Sequence, residues 1–168
     1  MADRRDAPSA TSGRELTLSH ATNAPRIVVK WQSWSPYIQS ILRIVAALVF
    51  MTAGSMKLFA VPLGMPGGGT VPLISELGLA GVLEVFGGGL VLLGLFTRPV
   101  AFILSGEMAV AYFQAHFPRG PWPTMNGGMG ALLYCFIWLY ISSAGPGPWS
   151  LDALMSRRRQ QSVTKAKS

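Results

Sequence analysis

The chain has 168 residues, half of them hydrophobic, and its 14 Lys and Arg against 7 Asp and Glu give a net charge of +7. Charged residues make up only 12%, where a soluble domain carries about a quarter. Five basic residues lie at or before Lys30 and five after Met155, so they flank an apolar region instead of lining a groove, and no nucleic-acid motif accompanies them. These features argue against a nucleic-acid partner and for a lipid bilayer, with basic tails held on the cytoplasmic side of a bacterial inner membrane.

Residues 1–25 are polar and rich in Ser, Thr, Ala and Pro. They lack the apolar run of a signal peptide, so a disordered basic tail is expected. In RIVVKWQSW, Ile27, Val28, Trp31 and Trp34 fall on one helical stripe. That suits a short helix in the headgroup plane, or equally a pair of Trp anchors without fixed structure, and closes an N-terminal tail over residues 1–35.

The first predicted span, Pro36 to Phe59, opens on a Pro suited to the first helical turn. Ala46, Ala47, Ala53 and Gly54 recur at near-heptad spacing with Lys57 one turn on, which turns Lys57 toward a neighbouring helix or, so near the helix end, leaves it to snorkel to the interface. A Gly and Pro loop follows, Ala60 to Pro72, whose GGG lacks the Lys of a phosphate cradle.

The second span centres on GVLEVFGGGLVLLGLFTR, Gly81 to Arg98, extended backwards to Leu73. Between Leu58 and Arg98 the only charged residues are Glu76 and Glu84. A soluble core has room for one helix this apolar, whereas this chain offers three or four. Gly81, Glu84 and Gly88 share a face with Gly87 beside them, so the carboxylate points where a helix can pack closely and is either paired or protonated. The short turn Phe96 to Pro99 predicts an antiparallel hairpin with a third span, Pro99 to Phe117, carrying Glu107 near its middle and His116 at its far end. Counted from the turn, Glu84 and Glu107 differ in depth by about 8 Å.

The loop Pro118 to Met125 puts Trp122 at aromatic-belt depth, and Asn126 is placed to cap a fourth span ending at Gly145-Pro146-Gly147-Pro148. Residues 153–168 form a basic C-terminal tail. The expected fold is all-α, an integral membrane four-helix bundle over residues 36–152 with both termini cytoplasmic.

With these pieces in order, the chain resembles the DoxX family of small four-span membrane proteins. The matching segments are Arg43 in span one, AGSMKLF (Ala53 to Phe59), ExxGGGLVLLGLFTRPVA (Glu84 to Ala101), GEMAVAYFQAHFPRGPWP (Gly106 to Pro123), NGG (Asn126 to Gly128), LLYCF (Leu132 to Phe136) and AGPGPWSLD (Ala144 to Asp152). Similar proteins usually carry Glu directly after the NGG, where this chain has Met129. The resemblance implies membrane redox chemistry: thiosulfate oxidation coupled to quinone, or complexes that bring detoxifying oxidoreductases and sulfurtransferases together.

The catalytic candidates are Lys57, Glu84, Glu107 and His116, with Tyr112, Trp122 and Asn126 as candidate contacts to a quinone headgroup, which needs hydrogen-bond donors and a proton route. Gly54, Gly81, Gly87 and Gly88 are assigned to helix packing. The competing reading makes Glu84 and Glu107 bundle-specifying polar groups, and His116 and Asn126 caps of helix ends. No metal site is expected, because His116 lacks an i, i+4 partner and His20 lies in the tail. Cys135 is the only cysteine and no haem, flavin, nucleotide or iron–sulfur signature is present, so a redox role calls for quinone or a partner oxidoreductase or sulfurtransferase. A homo-oligomer stays open, as do a proton-coupled or small-solute transporter and a scaffold without chemistry. Glu84→Gln separates these classes: it stops electron flux in the first case and pH-dependent solute movement in the second, and is tolerated in the third.

Overall fold

The computed structural model describes residues 26–65 and 67–167. The disordered tail expected over residues 1–25, with His20, lies outside the described residues. Five helices and no strand make up the described chain: α1 (Arg26–Phe59), α2 (Glu76–Leu93), α3 (Thr97–Ala111), α4 (Met129–Ala144) and α5 (Leu151–Lys167). Two units divide it, Met1–Ser35 and Pro36–Ser168. The described part of the first is helical, with Trp31 and Trp34 exposed. The core and the site described below lie in the second.

Two faces of α1 follow from its spacing. Ser40, Arg43, Ala47, Phe50 and Gly54 recur every three or four residues and are buried, leading on to Lys57. Ile38, Ile41, Val45 and Leu48 form the opposite stripe and are exposed. The buried stripe meets Val91 of α2, Leu104 of α3, and Trp138 and Ile141 of α4 in one apolar core. Phe50 packs edge-on against Trp138 with ring centroids 5.2 Å apart.

One end of this core is closed by hydrogen bonds. Arg43, fully buried, donates to Val91 O, to Leu92 O (2.6 Å), to Pro146 O (2.9 Å) and to Trp149 O (2.5 Å). It thus satisfies the Leu92 carbonyl at the C-terminus of α2, adds a second donor to Val91 O, which already accepts from Gly94 N, and ties in carbonyls of the segment after α4. Asp152, at the start of α5, accepts from the backbone N–H groups of Phe96 (3.0 Å) and Thr97 (2.9 Å) and from the Thr97 hydroxyl (2.9 Å), which caps α3. Arg98 donates to Ser143 O at the end of α4 (2.5 Å). The turn between α2 and α3 passes through Gly94 at φ 70°, where an added Cβ would lie 2.3 Å from Ser150 Cβ.

Two helices, Trp31–Phe59 and Glu76–Leu93, are long and apolar enough to cross a membrane, and only 28% and 33% of their most apolar windows is buried in the protein. A soluble core helix would be mostly covered. Here Phe86 and Leu93 of α2, Phe102 and Val110 of α3 with Phe113 just beyond it, and Leu133, Phe136 and Leu139 of α4 all face outward. An apolar surface of that extent belongs against lipid.

Several boundaries differ from expectation. α3 starts at Thr97, not Pro99, because Asp152 supplies a cap that lies far along the chain. α4 starts at Met129, not directly after Asn126, because Gly127 takes a positive φ of 72° and holds the chain in a turn first. The basic tail after Met155 is helical to Lys167 as part of α5.

Candidate functional site

The end opposite Arg43 gathers the C-terminus of α1, the N-terminus of α2, the far end of α3 and the start of α4. Helix α1 approaches α2 closely there because both contacting faces are glycine. A Cβ on Gly54 would sit 2.8 Å from Glu84 Cβ, Gly81 O and Val85 Cγ2, and one on Gly88 would sit 2.7 Å from Met51 Cγ. A Cβ on Gly81 would sit 3.0 Å from Leu58 and 3.1 Å from Lys57, and one on Gly87 2.8 Å from Leu104 of α3. The four glycines therefore set the separation of α2 from both of its neighbours.

Across the α1/α2 contact, Lys57 Nζ donates to both carboxylate oxygens of Glu84. Glu84 is 3% exposed and the Lys57 side chain 15%, so this ion pair is nearly dry. Glu84 stands in a π-helical turn, Leu83–Gly87, that interrupts α2. The extra residue in such a turn re-aims the side chains around it, and it is a common feature of functional sites.

Glu107 of α3 lies close enough for electrostatic interaction with both Glu84 and Lys57. Its two carboxylate oxygens are buried and have no hydrogen-bond partner. The residue also lines a cleft of about 710 Å³ between α2 and α3. A buried acceptor with nothing to accept from is costly, by about 1–3 kcal/mol even for a neutral group.

A second group sits farther along α3, where a π-helical turn, Tyr112–His116, and a 3-10 turn, Phe117–Arg119, continue the helix. Tyr112 is buried and stacks on His116 with ring centroids 6.5 Å apart. Its hydroxyl donates to Pro121 O (3.3 Å), while His116 Nδ1 lies 3.3 Å from Asn126 O. Asn126 is buried; its Nδ2 donates to Gly120 O (2.7 Å) and its Oδ1 accepts from Gly128 N (2.7 Å). That amide holds the loop between α3 and α4 together. Trp122 is 67% exposed. Among the described residues no hydrogen bond joins this group to the Lys57–Glu84 pair.

The structure thus brings Lys57, Glu84 and Glu107 together and keeps Tyr112, His116 and Asn126 as a neighbouring set. Cys135 is unpaired, with its carbonyl accepting from Ser105 Oγ at 2.8 Å. Among the described residues, no three His, Cys, Asp or Glu side chains converge as metal ligands would. The sequence reading did not anticipate the roles of Arg43 and Asp152.

The DoxX family profile matches residues 38–117. An uncharacterized protein of Haemophilus influenzae is 44% identical over 124 residues, covering 72% of this chain and 92% of that protein. An uncharacterized membrane protein of Mycobacterium tuberculosis is 29% identical, over 85% of this chain and 94% of that protein. No solved structure gives a significant match. The matched stretch of this chain includes Arg43, Lys57, Glu84, Glu107 and His116, and α2 and α3 within it carry outward apolar faces: the chain belongs to the DoxX family and is a membrane protein.

Proposed function

We propose that α1 to α4 all cross the bacterial inner membrane, with both termini cytoplasmic, and that the chain is a quinone-linked subunit of a membrane redox assembly. For the spans, α3 and its π-helical turn run from Thr97 to His116, and α4 adds a mostly apolar helix of 16 residues, about 24 Å long. Their exposed Phe102, Phe113, Leu133 and Phe136 suit contact with lipid. An even number of spans returns both basic tails to one side, as the distribution of Lys and Arg favours.

One observation carries the functional reading: a lysine and two carboxylates turned into the interior of a membrane bundle, one carboxylate without a partner. Ionisable groups at that depth are expensive, and they mark proton or ligand routes more often than packing. A quinone exchanges two electrons and two protons; such a set can serve the protons, while the electrons must come from or go to a partner oxidoreductase. Lys57 and Glu84 would hold a proton relay in place, and Glu107 would bind the head group and pass a proton to or from it. The hydroxyl of Tyr112 and the amide of Asn126 are already engaged with backbone groups, which favours Glu107 over them as the headgroup contact.

The test is native mass spectrometry of the protein purified with its lipids, combined with quinone extraction, followed by electron flux in membranes carrying Glu84→Gln. Co-purifying quinone and a flux lowered at least tenfold are expected. Unchanged flux with no quinone refutes the reading in favour of a scaffold, and pH-dependent solute movement abolished by Glu84→Gln refutes it in favour of a carrier.

A further inference from the structure

We propose that α5 is an anchor for anionic phospholipid, with Arg157, Arg158 and Arg159 forming a collar that stands among the lipid phosphates at the Arg43 end of the bundle. It is independent of the redox reading and needs only that the bundle lies in a bilayer. The start of α5 is fixed to the core. Ser150 Oγ accepts from Ala153 N (3.1 Å), which caps the helix, and Asp152 accepts from the backbone N–H groups of Phe96 and Thr97. The exposed Trp149 marks the same level, its ring edge-on to Tyr37 with centroids 5.8 Å apart, as aromatic residues gather at membrane interfaces. Beyond it every residue from Leu154 to Lys165 is exposed, so the core does not cover this part of α5.

Height and arrangement point to lipid. Arg158 follows Asp152 by six residues, about 9 Å of helix. The headgroup layer on each side of a bilayer is about 5 to 8 Å thick, so long side chains at that height reach the phosphates. Successive helical residues turn by about 100°, which sends the three guanidinium groups to three sides of α5. Among the described residues none of the three has a hydrogen bond or ion pair. A soluble acidic partner engages one side of a helix, whereas a layer of phosphates surrounds it. The apolar residues agree. Leu151, Leu154 and Met155 share one face, are exposed and suit the acyl boundary, and that face continues as Arg158 and Ser162. A helix lying flat in the interface would carry the apolar stripe to its end. Isolated helices of about this length are marginal in water and adjacent arginines repel, so neutralisation by phosphates steadies the far half of α5. Each basic residue near an anionic surface favours it about fivefold, which is on the order of a hundredfold for three.

The experiment uses the full chain in nanodiscs of phosphatidylcholine and of phosphatidylglycerol and follows amide exchange along α5. Exchange from Arg157 to Lys165 is expected to be at least tenfold slower in phosphatidylglycerol, with the difference shrinking as salt is raised. Exchange at Phe96 and Thr97, which reports the anchored start, is expected to be the same in both. Arg157→Gln/Arg158→Gln/Arg159→Gln is expected to cut the difference to less than threefold, while Arg157→Lys/Arg158→Lys/Arg159→Lys stays within threefold of wild type. Equal exchange in the two discs, a difference that survives the Gln variant, or a Lys variant that behaves as the Gln variant does overturns the anchor. Glycerol phosphate, polyglutamate or a single-stranded oligonucleotide that slows exchange in phosphatidylcholine discs as much as phosphatidylglycerol does also overturns it, in favour of a soluble acidic partner.

Discussion

The Lys57–Glu84 pair permits a quantitative test of how the interior tolerates charge. At the 2.5 Å separation of Lys57 Nζ from Glu84 Oε1, an effective dielectric of about 20 gives an attraction of about 6 to 7 kcal/mol, much of it offset by desolvation. Lys57 is the only hydrogen-bond partner of Glu84 among the described residues, and Glu84 is 3% exposed. Lys57→Met therefore strands a buried carboxylate and is expected to cost about 3 to 5 kcal/mol. Glu84→Met is expected to cost less, about 1 to 2 kcal/mol, because Lys57 sits near the helix end and can extend its ammonium toward the interface. The double variant Lys57→Met/Glu84→Met packs two apolar chains in the same space and should recover to within about 1 kcal/mol of wild type. The assay is unfolding in mixed micelles by increasing SDS, followed by far-ultraviolet circular dichroism. A double variant that loses the sum of the two single costs, to within about 0.5 kcal/mol, would show that the two side chains are not energetically coupled and would refute the argument.

Gly54→Ala should separate α1 from α2 and cost about 1 to 3 kcal/mol in the same assay, whereas Gly89→Ala, whose Cβ meets open space, should be neutral or slightly stabilising. Arg43→Met removes the donor to four carbonyls and is expected to lower stability by about 4 kcal/mol, among the largest losses from a single substitution here. Asp152→Asn keeps one acceptor oxygen where two were used and should cost about 1 kcal/mol, with faster amide exchange at Phe96 and Thr97 as the local readout.

The apolar character of the helices and the inward turn of Glu84 were legible because both depend on spacing along one helix. Gly81, Glu84 and Gly88 share a face whatever α2 packs against. The pairing of Lys57 with Glu84 was not legible, since the register between two helices is set by contacts such as Gly54 on Gly81 that no single-helix pattern encodes. For the same reason the depth difference of about 8 Å between Glu84 and Glu107 says nothing of their separation across the bundle. Arg43 was visible only as a mark of the family, because its partners are backbone carbonyls as far away as Trp149, and carbonyls carry no sequence signal. The π-helical turns at Leu83–Gly87 and Tyr112–His116 were also missed, since each depends on a bonding shift of one residue within an apolar or aromatic run.

The two ends of the bundle divide the work. Around Arg43 the carbonyls of Val91, Leu92, Pro146 and Trp149 and the N–H groups of Phe96 and Thr97 are tied by charged side chains, which holds three helix ends in register. Around Glu84 the same helices are brought together by glycine, turn through π-helical segments and leave Glu107 without a partner. A bundle that tolerates an unpartnered carboxylate at one end must be fixed at the other, because that cost, about 1 to 3 kcal/mol or more for a charged group, is a sizeable share of a total stability of about 5 to 15 kcal/mol. Substitutions at Arg43 or Asp152 should therefore affect function only in proportion to lost fold. Substitutions at Glu107 should affect function while leaving the fold as stable as before or more so, since replacing a carboxylate that has no donor removes a cost and breaks no bond.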